Sequence, residues 1–145
     1  GKYLLSKSHR LTKGREVLIL SKIKNLSKDE FYWNLKNSFN IPIELKIVKN
    51  NNFDNKTISL NKNDLKLPLI VRKWKIGDFF YPKGMKGKKK ISKYFKDEKY
   101  SQQQKENQWL LCKEQEVIWV VGKRCNRKFV CAPKSSEGVL LTFTQ

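Results

Sequence analysis

Short apolar runs, separated by polar and turn residues, constrain the fold of this chain more than any other feature. Each run is four to six residues long. Because the runs are rich in β-branched and aromatic residues, they favour strands over helices. Ile43, Leu45 and Ile47 occupy every second position, which is typical of a strand with one solvent-facing side. We expect strands at residues 17–20, 43–48, 57–60, 67–71, 109–112, 117–121 and 139–144, and a hairpin turn at residues 113–116.

Helical patterns are fewer and shorter than the strand patterns. Ile91 and the aromatic residues three and four positions later form one apolar face, which predicts a short helix ending near Glu98. Ser101 and Gln104 have the spacing of a capping box, which predicts a second short helix. Residues 27–39 have two interpretations, because a capping-box spacing favours a helix while the Phe-Tyr-Trp run at 31–33 suits a strand. Both stay open.

The chain carries a large excess of positive charge. It has 32 Lys and Arg against 13 Asp and Glu, a formal charge of +19. Residues 72–99 alone contain eleven basic and three acidic residues. Hydrophobic residues make up 39% of the chain, which is enough for a folded core. No apolar run reaches the length of about 18 residues that a membrane span needs. We therefore expect a basic, cytoplasmic domain whose partner is a polyanion and not a membrane.

Residue patterns typical of metal sites and catalysis are scarce. Cys112, Cys125 and Cys131 have neither zinc-site spacing nor an even number for disulfides, so we expect reduced and buried thiols. His9 is the single histidine, and the acidic residues form no cluster suited to Mg²⁺ or Zn²⁺. We expect no catalytic residue, metal or cofactor in this segment. Because the chain begins at Gly1 without an initiator methionine, we expect it to be part of a longer protein.

Residues 72–90 interleave aromatic residues, glycines and lysines. Gly84 and Gly87 allow backbone conformations that are closed to other residues, and the lysines supply mobile positive charge. The lysine run leads into the predicted helix, whose first amides also favour anions. This combination favours contact with RNA phosphates. The expected RNA-binding residues are Lys73, Lys75, Lys86, Lys88, Lys89, Lys90, Lys93, Arg124 and Arg127.

Other residues of the same stretch are expected to shape the backbone. Glycine, proline and a turn-forming aspartate in so short a span set the path that presents the neighbouring lysines. This structural set comprises Arg72, Trp74, Gly77, Asp78, Pro82 and Gly84. Phe79, Phe80 and Tyr81 have two interpretations, as core residues or as base-stacking platforms. Trp74, Phe79 and Phe80 could instead form a surface that docks on another domain.

Three segments carry a family resemblance. They are residues 69–85 (LIVRKWKIGDFFYPKGM), residues 88–95 (KKKISKYF) and residues 117–124 (VIWVVGKR). They resemble the C-terminal domain of bacterial tRNA(Ile)-lysidine synthetase, whose pattern is roughly PLxxRxWxxGDxFxPxGMxGxKKxSxxF followed by IVWVxGxR. The match extends from residue 67 to about residue 128, and residues 6–11 and 15–18 resemble the lead-in to this domain more weakly.

The resemblance implies an α+β fold, a β-rich and sandwich-like domain with two or three short helices. It also implies similarity to a module of the phenylalanyl-tRNA synthetase β-subunit. Residues 1–145 would form a single C-terminal tRNA-binding domain, with a lead-in half at 1–66 and a family-defining half at 67–145. The implied partners are an isoleucine tRNA and the parent's N-terminal catalytic domain, and a homodimer is a further option.

The resemblance also implies an ATP-dependent ligase as the parent protein. Members of the family adenylate the wobble cytidine of an isoleucine tRNA and then join free lysine to it. Their ATP site is an SGGxDS loop in an N-terminal α/β domain, so ATP and Mg²⁺ are the implied cofactors of the parent. This sequence contains no such loop. We therefore do not expect the segment to be a ligase by itself.

Two other functions are compatible with a basic, β-rich chain. The first is a stand-alone RNA- or ribosome-binding protein without catalysis. The second is a metal-dependent nuclease, which the absence of an acidic or histidine-rich cluster makes the weaker alternative. An SGGxDS loop encoded upstream of this segment would favour the lysidine-forming parent over both.

Overall fold

The structure, a computed structural model, describes residues 3–5, 9–13, 18–22, 30–35, 38, 40–48, 56–65, 69–130 and 138–144. Strands predominate in this part of the chain. They are β1 (Tyr3–Leu5), β2 (His9–Lys13), β3 (Leu18–Lys22), β4 (Phe31–Trp33), β5 (Glu44–Val48), β6 (Thr57–Asn61), β7 (Leu69–Arg72), β8 (Phe79–Phe80), β9 (Lys89–Lys90), β10 (Leu110–Lys113), β11 (Glu116–Val120) and β12 (Gly138–Thr144). The helices are α1 (Ile91–Asp97), α2 (Gln102–Asn107) and a 3-10 turn at Lys62–Leu65.

The described strands form four antiparallel sheets. Their strand orders are β1-β2-β3, β11-β10-β7-β4, β5-β12-β6 and the two-stranded β8-β9. In the four-stranded sheet, Leu110 lies opposite Arg72 and also opposite Val120, so β10 is paired on both sides. A bulge between Leu111 and Cys112 shifts the pairing with β11. All four residues of β7 and the first three of β10 are buried, so the centre of this sheet lies in the interior.

The four-stranded sheet separates two hydrophobic clusters because successive residues of a strand point to opposite faces. Leu69 and Val71 of β7 pack in one cluster with residues of β5, β6 and β12. Ile70, between them in sequence, packs in the other cluster with Phe95 and Ile91 of α1. Among the described residues, α1 therefore packs on one face of the central sheet and the β5-β12-β6 sheet packs on the other.

Each of the seven predicted strand segments contains a strand, and residues 113–116 form the predicted hairpin turn, with Glu114 at φ 54°. Positions 17, 67 and 68 lie outside the described residues. The ambiguous segment contains strand β4, while Ser27 and Phe39 lie outside the described residues. The alternation predicted for β5 holds at Leu45 but is wrong at Ile47, which is 47% exposed.

Both predicted helices are confirmed. The buried residues of α1 are Ile91, Tyr94 and Phe95, the three that define its predicted apolar face. At the start of α2, Ser101 Oγ accepts from the Gln104 amide at 3.1 Å, and Gln104 Oε1 accepts from the Ser101 amide at 2.7 Å. This is the predicted capping box. None of the helices in the described ranges is long and apolar enough to cross a membrane.

A buried ion pair connects the end of β7 to the turn before β8. Arg72 Nη1 donates to Asp78 Oδ2 at 2.8 Å, and Nη2 donates to Oδ1 at 3.0 Å. The side chains are 2% and 9% exposed. Burial disfavours the charged guanidinium, but the hydrogen bonds and charge of Asp78 outweigh burial, so the pKa of Arg72 is raised. The guanidinium therefore stays charged inside the domain.

Asp78 also organises the chain on both sides of the ion pair. Its Oδ2 accepts from the Lys75 amide at 2.7 Å, and its own amide donates to Lys75 O at 3.1 Å, which closes a tight turn. Its carbonyl accepts from the Ile91 amide at 2.9 Å, at the first residue of α1. Lys90, the N-cap residue, makes no side-chain capping bond. The Asp78 carbonyl therefore supplies an acceptor for an end amide of the helix.

We expect the Arg72–Asp78 pair to be a large contributor to stability. Changing either partner alone, Arg72→Met or Asp78→Asn, leaves a buried charge without its partner and should lower the free energy of unfolding by about 3–5 kcal/mol. In the double variant, the free energy of unfolding should fall by less than the sum of the decreases in the two single variants. Urea unfolding of the four proteins measures these values.

The exposed Lys75–Glu30 pair, whose atoms are 2.7 Å apart, is the matched control. Glu30→Gln should cost about 0–1 kcal/mol, because solvent screens a surface ion pair. Equal losses from Asp78→Asn and Glu30→Gln would contradict a special role for the buried pair.

Candidate nucleic-acid interface

The loop between β8 and β9, residues 81–88, runs beside the segment that follows β11. The Arg127 amide donates to Tyr81 O at 2.8 Å, and the Lys83 amide donates to Cys125 O at 3.0 Å. Residues 83–88 are exposed. The base of the loop is therefore attached to residues 125–127, while its lysine-bearing part faces solvent.

Asn126 holds the attachment point in place from inside the domain. This residue is 2% exposed, and its Nδ2 donates to Val117 O at 2.9 Å. Its Oδ1 accepts from the Lys128 amide at 3.0 Å. Pro82, a member of the predicted structural set, is paired with Asn126 in an isolated β-bridge. A buried amide with its hydrogen-bonding groups satisfied fixes the backbone on which the exposed residues stand.

The glycines of the motif have different roles. Gly77 has φ +96° and Gly84 has φ +89°, conformations that side chains other than glycine rarely adopt. Their assignment to the structural set is consistent with these values. Gly87 is not among the glycines with positive φ, so the expectation of an unusual conformation there is wrong. The backbone therefore requires glycine at positions 77 and 84. At position 87 it has a conformation that other residue types can also adopt.

Three cations surround two aromatic rings beside the loop. Lys88 Nζ lies 4.6 Å from the ring centroid of Phe79, and Lys128 Nζ lies 3.8 Å from that of Tyr81. The Arg127 guanidinium carbon is 5.4 Å from the Tyr81 ring, and the two rings meet edge to face at 6.2 Å. We call Phe79, Tyr81, Lys88, Arg127 and Lys128 the cation–aromatic ridge. The ridge combines positive charge with exposed ring surface.

The cations of the ridge are held without carboxylates. Across the residues that the structure describes, no acidic side chain forms an ion pair with Lys88, Arg127 or Lys128. Arg127 Nη2 instead donates to the carbonyl of Lys86 at 2.7 Å, which places its charge beside the loop. Like charges gathered in this way repel one another. A bound anion would relieve the repulsion.

Lys89 and Lys93 differ from the ridge because they share a carboxylate. Lys89 Nζ lies 2.6 Å from Asp97 Oδ2, and Lys93 Nζ lies 3.1 Å from Asp97 Oδ1. The hydrogen bonds from Lys89, and then those from Lys93, lower the pKa of the Asp97 carboxyl. The carboxylate is therefore ionised at neutral pH, and it partly neutralises two of the lysines expected to bind RNA.

The remaining predicted RNA-binding residues occupy separate places. Lys73 Nζ lies 3.9 Å from the Trp109 ring, and Lys75 pairs with Glu30. Lys90 is opposite Phe79 in the β8-β9 register and therefore shares the exposed face of that hairpin. Lys86 and Arg124 are exposed. The structure thus brings Lys86, Lys88, Lys90 and Arg127 to one surface and places Lys73 and Lys75 elsewhere.

The aromatic residues of the motif divide between core and surface. Phe80 is completely buried and meets Tyr94 edge to face, and Trp74 is half-buried against Phe95. The core interpretation is therefore confirmed for Phe80. Phe79 is 42% exposed. Of these three residues, Phe79 offers the most surface for a partner.

Sequence reasoning missed Lys128 as a member of this surface and left Tyr81 open between a core residue and a base-stacking platform. Tyr81 belongs to the motif but carried no signal separating it from core aromatics. Lys128 lies 47 positions after Tyr81 in the sequence, and only the pairing of residues 81–83 with 125–127 brings it to the ridge. Its proximity could not be read from local spacing.

The thiols that the structure describes are buried and have raised pKa values, which makes them unreactive. Burial raises the pKa of Cys112 to about 12 and also raises the pKa of Cys125. The expectation of buried, reduced thiols is confirmed for these two residues. Cys131 lies outside the described residues. Within the described ranges, no group of three His, Cys, Asp or Glu side chains could hold a metal ion.

Two known proteins with the same name match this chain along most of its length. The chain is 38% identical to a tRNA(Ile)-lysidine synthase of Parabacteroides distasonis, over 99% of this chain and 34% of that protein. It is 35% identical to a tRNA(Ile)-lysidine synthase of Bacteroides thetaiotaomicron, over 89% of this chain and 30% of that protein. The chain therefore spans about a third of the length of these relatives.

A solved structure supports the fold. The crystal structure of a TilS C-terminal domain superposes with a TM-score of 0.62 at 18% identity, over 80% of this chain and 97% of that chain. The strand-rich fold with few helices is thereby confirmed. The family described as "TilS substrate C-terminal domain" matches residues 69–141, about half of the chain. Because that match includes the Arg72–Asp78 turn, the lysine loop and α1, the family resemblance is confirmed, and the chain belongs to the TilS substrate C-terminal domain family.

Proposed function

We propose that this chain is the C-terminal tRNA-binding domain of a tRNA(Ile)-lysidine synthase and that it holds tRNA through backbone phosphates. The full-length protein would join lysine to the wobble cytidine of an isoleucine tRNA, with ATP and Mg²⁺ bound in a catalytic domain outside this chain. The names of the relatives support this role. The cation–aromatic ridge supplies the surface.

The single observation that carries the proposal is the placement of Lys88, Arg127 and Lys128 on aromatic rings. A cation in contact with a ring keeps its full charge available to an anion, whereas a cation in a salt bridge does not. Assembling several such cations on a protein of net charge +19 is unfavourable in isolation. Binding to phosphates releases counterions from the RNA and removes the repulsion.

The residue types favour phosphates over base edges. A lysine ammonium is a point charge without the planar fork that reads a base edge by two parallel hydrogen bonds. Arg127 has such a fork, but one of its terminal nitrogens already donates to the Lys86 carbonyl. We therefore propose that the ridge and the loop lysines bind different RNA sequences with similar affinity.

We extend the proposal to the organisation of the protein. Residues 1–145 would act as one RNA-binding domain in the cytoplasm, with residues 1–66 as its lead-in half and residues 67–145 as its family-defining half. Its fold would be related to the module of the phenylalanyl-tRNA synthetase β-subunit, and it would contact the parent's catalytic domain.

Salt dependence tests the phosphate contacts. If about five phosphates are neutralised, the logarithm of tRNA affinity should fall with the logarithm of salt concentration at a slope of roughly −3.5 to −4.5. Changing Lys86, Lys88 and Lys90 together to Ala should make this slope shallower by up to about three units and weaken cognate and non-cognate tRNA alike. Fluorescence anisotropy at several salt concentrations provides the affinities.

The matched control removes the same charge elsewhere, by changing Lys46, Lys99 and Lys105 to Ala. This variant should keep a slope close to that of the unchanged chain. Parallel slopes for both triple variants would show that the loop lysines are solvated and do not bind phosphates. A loss confined to cognate tRNA would instead show that they read sequence.

Asp97 should weaken RNA binding by competing with phosphates for Lys89 and Lys93. Asp97→Asn removes that competition, so tRNA affinity should rise and the salt slope should steepen by about one to two units, one for each lysine released. Glu98→Gln changes the net charge equally at a neighbouring exposed residue and is the control. If the two variants raise affinity to the same extent, general charge and not the release of Lys89 and Lys93 explains the effect.

The shape of the loop should depend on Gly84 and not on Gly87. Gly84→Ala forces a side chain into φ +89° and should lower the free energy of unfolding by about 1–2 kcal/mol. Because the loop then changes its path, tRNA affinity should fall as well. Gly87→Ala should leave both nearly unchanged, since its Cβ would meet no atom within 4 Å and φ is not positive. Equal effects of the two substitutions, measured by thermal unfolding and tRNA binding, would contradict this assignment.

A further inference from the structure

A cleft lined by residues outside the β8-β9 loop is the second surface of interest. The cleft has a volume of about 230 Å³ and lies at the C-terminal ends of α2 and β11. Residues 107–109 form one side and residues 121–123 another, while Lys56 directly precedes β6 and Phe143 belongs to β12. None of these residues belongs to the cation–aromatic ridge, so the cleft is a different site.

The walls of the cleft are held by contacts within the domain. Gln108 Nε2 donates to Trp109 O at 2.8 Å and to Val121 O at 2.9 Å, and its Oε1 accepts from the Tyr100 hydroxyl at 2.7 Å. The Val121 amide donates to Trp109 O at 3.1 Å. The two sides of the cleft are therefore tied together, and its shape exists before any ligand binds.

Gly122 forms the part of the cleft beside Phe143. Its φ is +79°, and a Cβ at this position would lie 3.1 Å from the Phe143 ring. A side chain here would be strained by its backbone and would crowd the ring. Because this residue is glycine, the turn after β11 can pack directly against the Phe143 ring, which is half-buried.

The lining combines aromatic and cationic groups. Trp109 and Phe143 are half-buried, and Lys123 and Asn107 are exposed at the rim. The orientation of the Trp109 indole is set by Phe31, edge to face at 5.9 Å, and by Lys73 at 3.9 Å. None of the described residues that line the cleft is acidic. Such a lining suits a ligand with a planar apolar part and a negative group.

The size of the cleft limits what can fill it. Pockets for whole drug-sized ligands measure roughly 300–1,000 Å³. A cleft of about 230 Å³ therefore suits one unit of a larger molecule or a small monomer. Aromatic side chains beside lysines are the groups by which proteins hold single unstacked nucleotides.

We propose that this cleft binds one unstacked nucleotide, with its base against Trp109 and Phe143 and its phosphate beside Lys123 and Lys56. The nucleotide could come from an unpaired position of an RNA or from a free mononucleotide. The first source rests on the proposed function and deepens it, because the ridge would hold phosphates while the cleft holds a base. The following experiments separate the two sources.

The first experiment titrates the 145-residue chain with adenosine 5′-monophosphate and follows the amide and indole signals by NMR. The signals of the Trp109 indole and the Gly122 amide should shift, with Trp109→Phe assigning the indole. Lys123→Glu should weaken binding by about tenfold or more, because it removes a charge-assisted contact to the phosphate. Lys62→Glu, the same charge change on an exposed residue outside the cleft, should have less than a twofold effect.

Two controls define the ligand. Adenosine tests the base alone and inorganic phosphate tests the anion alone, and each should bind more weakly than the monophosphate. Equal shifts with inorganic phosphate would overturn the proposal, since the cleft would then bind anions without a base. Shifts that avoid Trp109 and Gly122, or that respond equally to Lys123→Glu and Lys62→Glu, would also overturn it.

The second experiment compares a blunt RNA hairpin with the same hairpin extended by unpaired nucleotides. Stacking one base on an aromatic side chain should favour the extended hairpin roughly 5- to 150-fold. Lys123→Glu should reduce that advantage and leave the affinity for the blunt hairpin within about twofold.

The two proposals fail in distinguishable ways. If neither hairpin binds, the proposed RNA-binding function is wrong. If both bind equally and Lys123→Glu affects them equally, RNA binding stands and the cleft does not take an unpaired nucleotide of RNA. In that case, binding of the monophosphate in the first experiment would assign the cleft to a free nucleotide.

Discussion

The buried ion pair of Arg72 and Asp78 determines how the central sheet, the β8-β9 loop and α1 are arranged. Burying two charges costs several kcal/mol for each ion, and this cost is offset only where the remaining polar atoms are also satisfied. Here Arg72 Nη1 also donates to the Lys73 carbonyl at 3.0 Å, and Asp78 accepts from the Lys75 amide. The Asp78 carbonyl accepts from the first amide of α1. One buried pair therefore closes a turn, ends a strand and begins a helix.

A backbone held in this way can present flexible cations in an ordered arrangement. The lysines of the loop need no ion pairs to keep their positions, because the Pro82–Asn126 pairing and the hydrogen bond from Arg127 hold the loop beneath them. Phe79 and Tyr81 provide surfaces on which cations lie while retaining their charge. Asp97 is the contrasting case, since it engages two lysines of α1 and β9. The domain thus contains both available and partly neutralised cations within one basic segment.

Local pattern predicted most of the secondary structure, because strand alternation, the face of α1 and the capping box of α2 involve residues close in sequence. It also identified Arg72 and Asp78 as structural. It did not indicate which residues meet across the fold: nothing near Lys128 indicated that it would reach Tyr81, and nothing indicated that Asp97 would pair with Lys89, whose contact with RNA stays a prediction. Gly87 shows a different limit. A glycine in a motif indicates that a side chain is absent, but only the backbone angle shows whether glycine is required there.

The end of β7 connects the two surfaces. Arg72 points into the core on the side of α1, where its partner Asp78 sets the turn that leads to the ridge. Lys73, the next residue, lies on the Trp109 ring, which forms part of the cleft. Because successive residues of an extended chain point to opposite sides, one dipeptide can position groups for both surfaces. A displacement of Arg72 would therefore move Lys73 with it and alter the support of Trp109, so the geometry of the ridge and that of the cleft depend on the same buried charge.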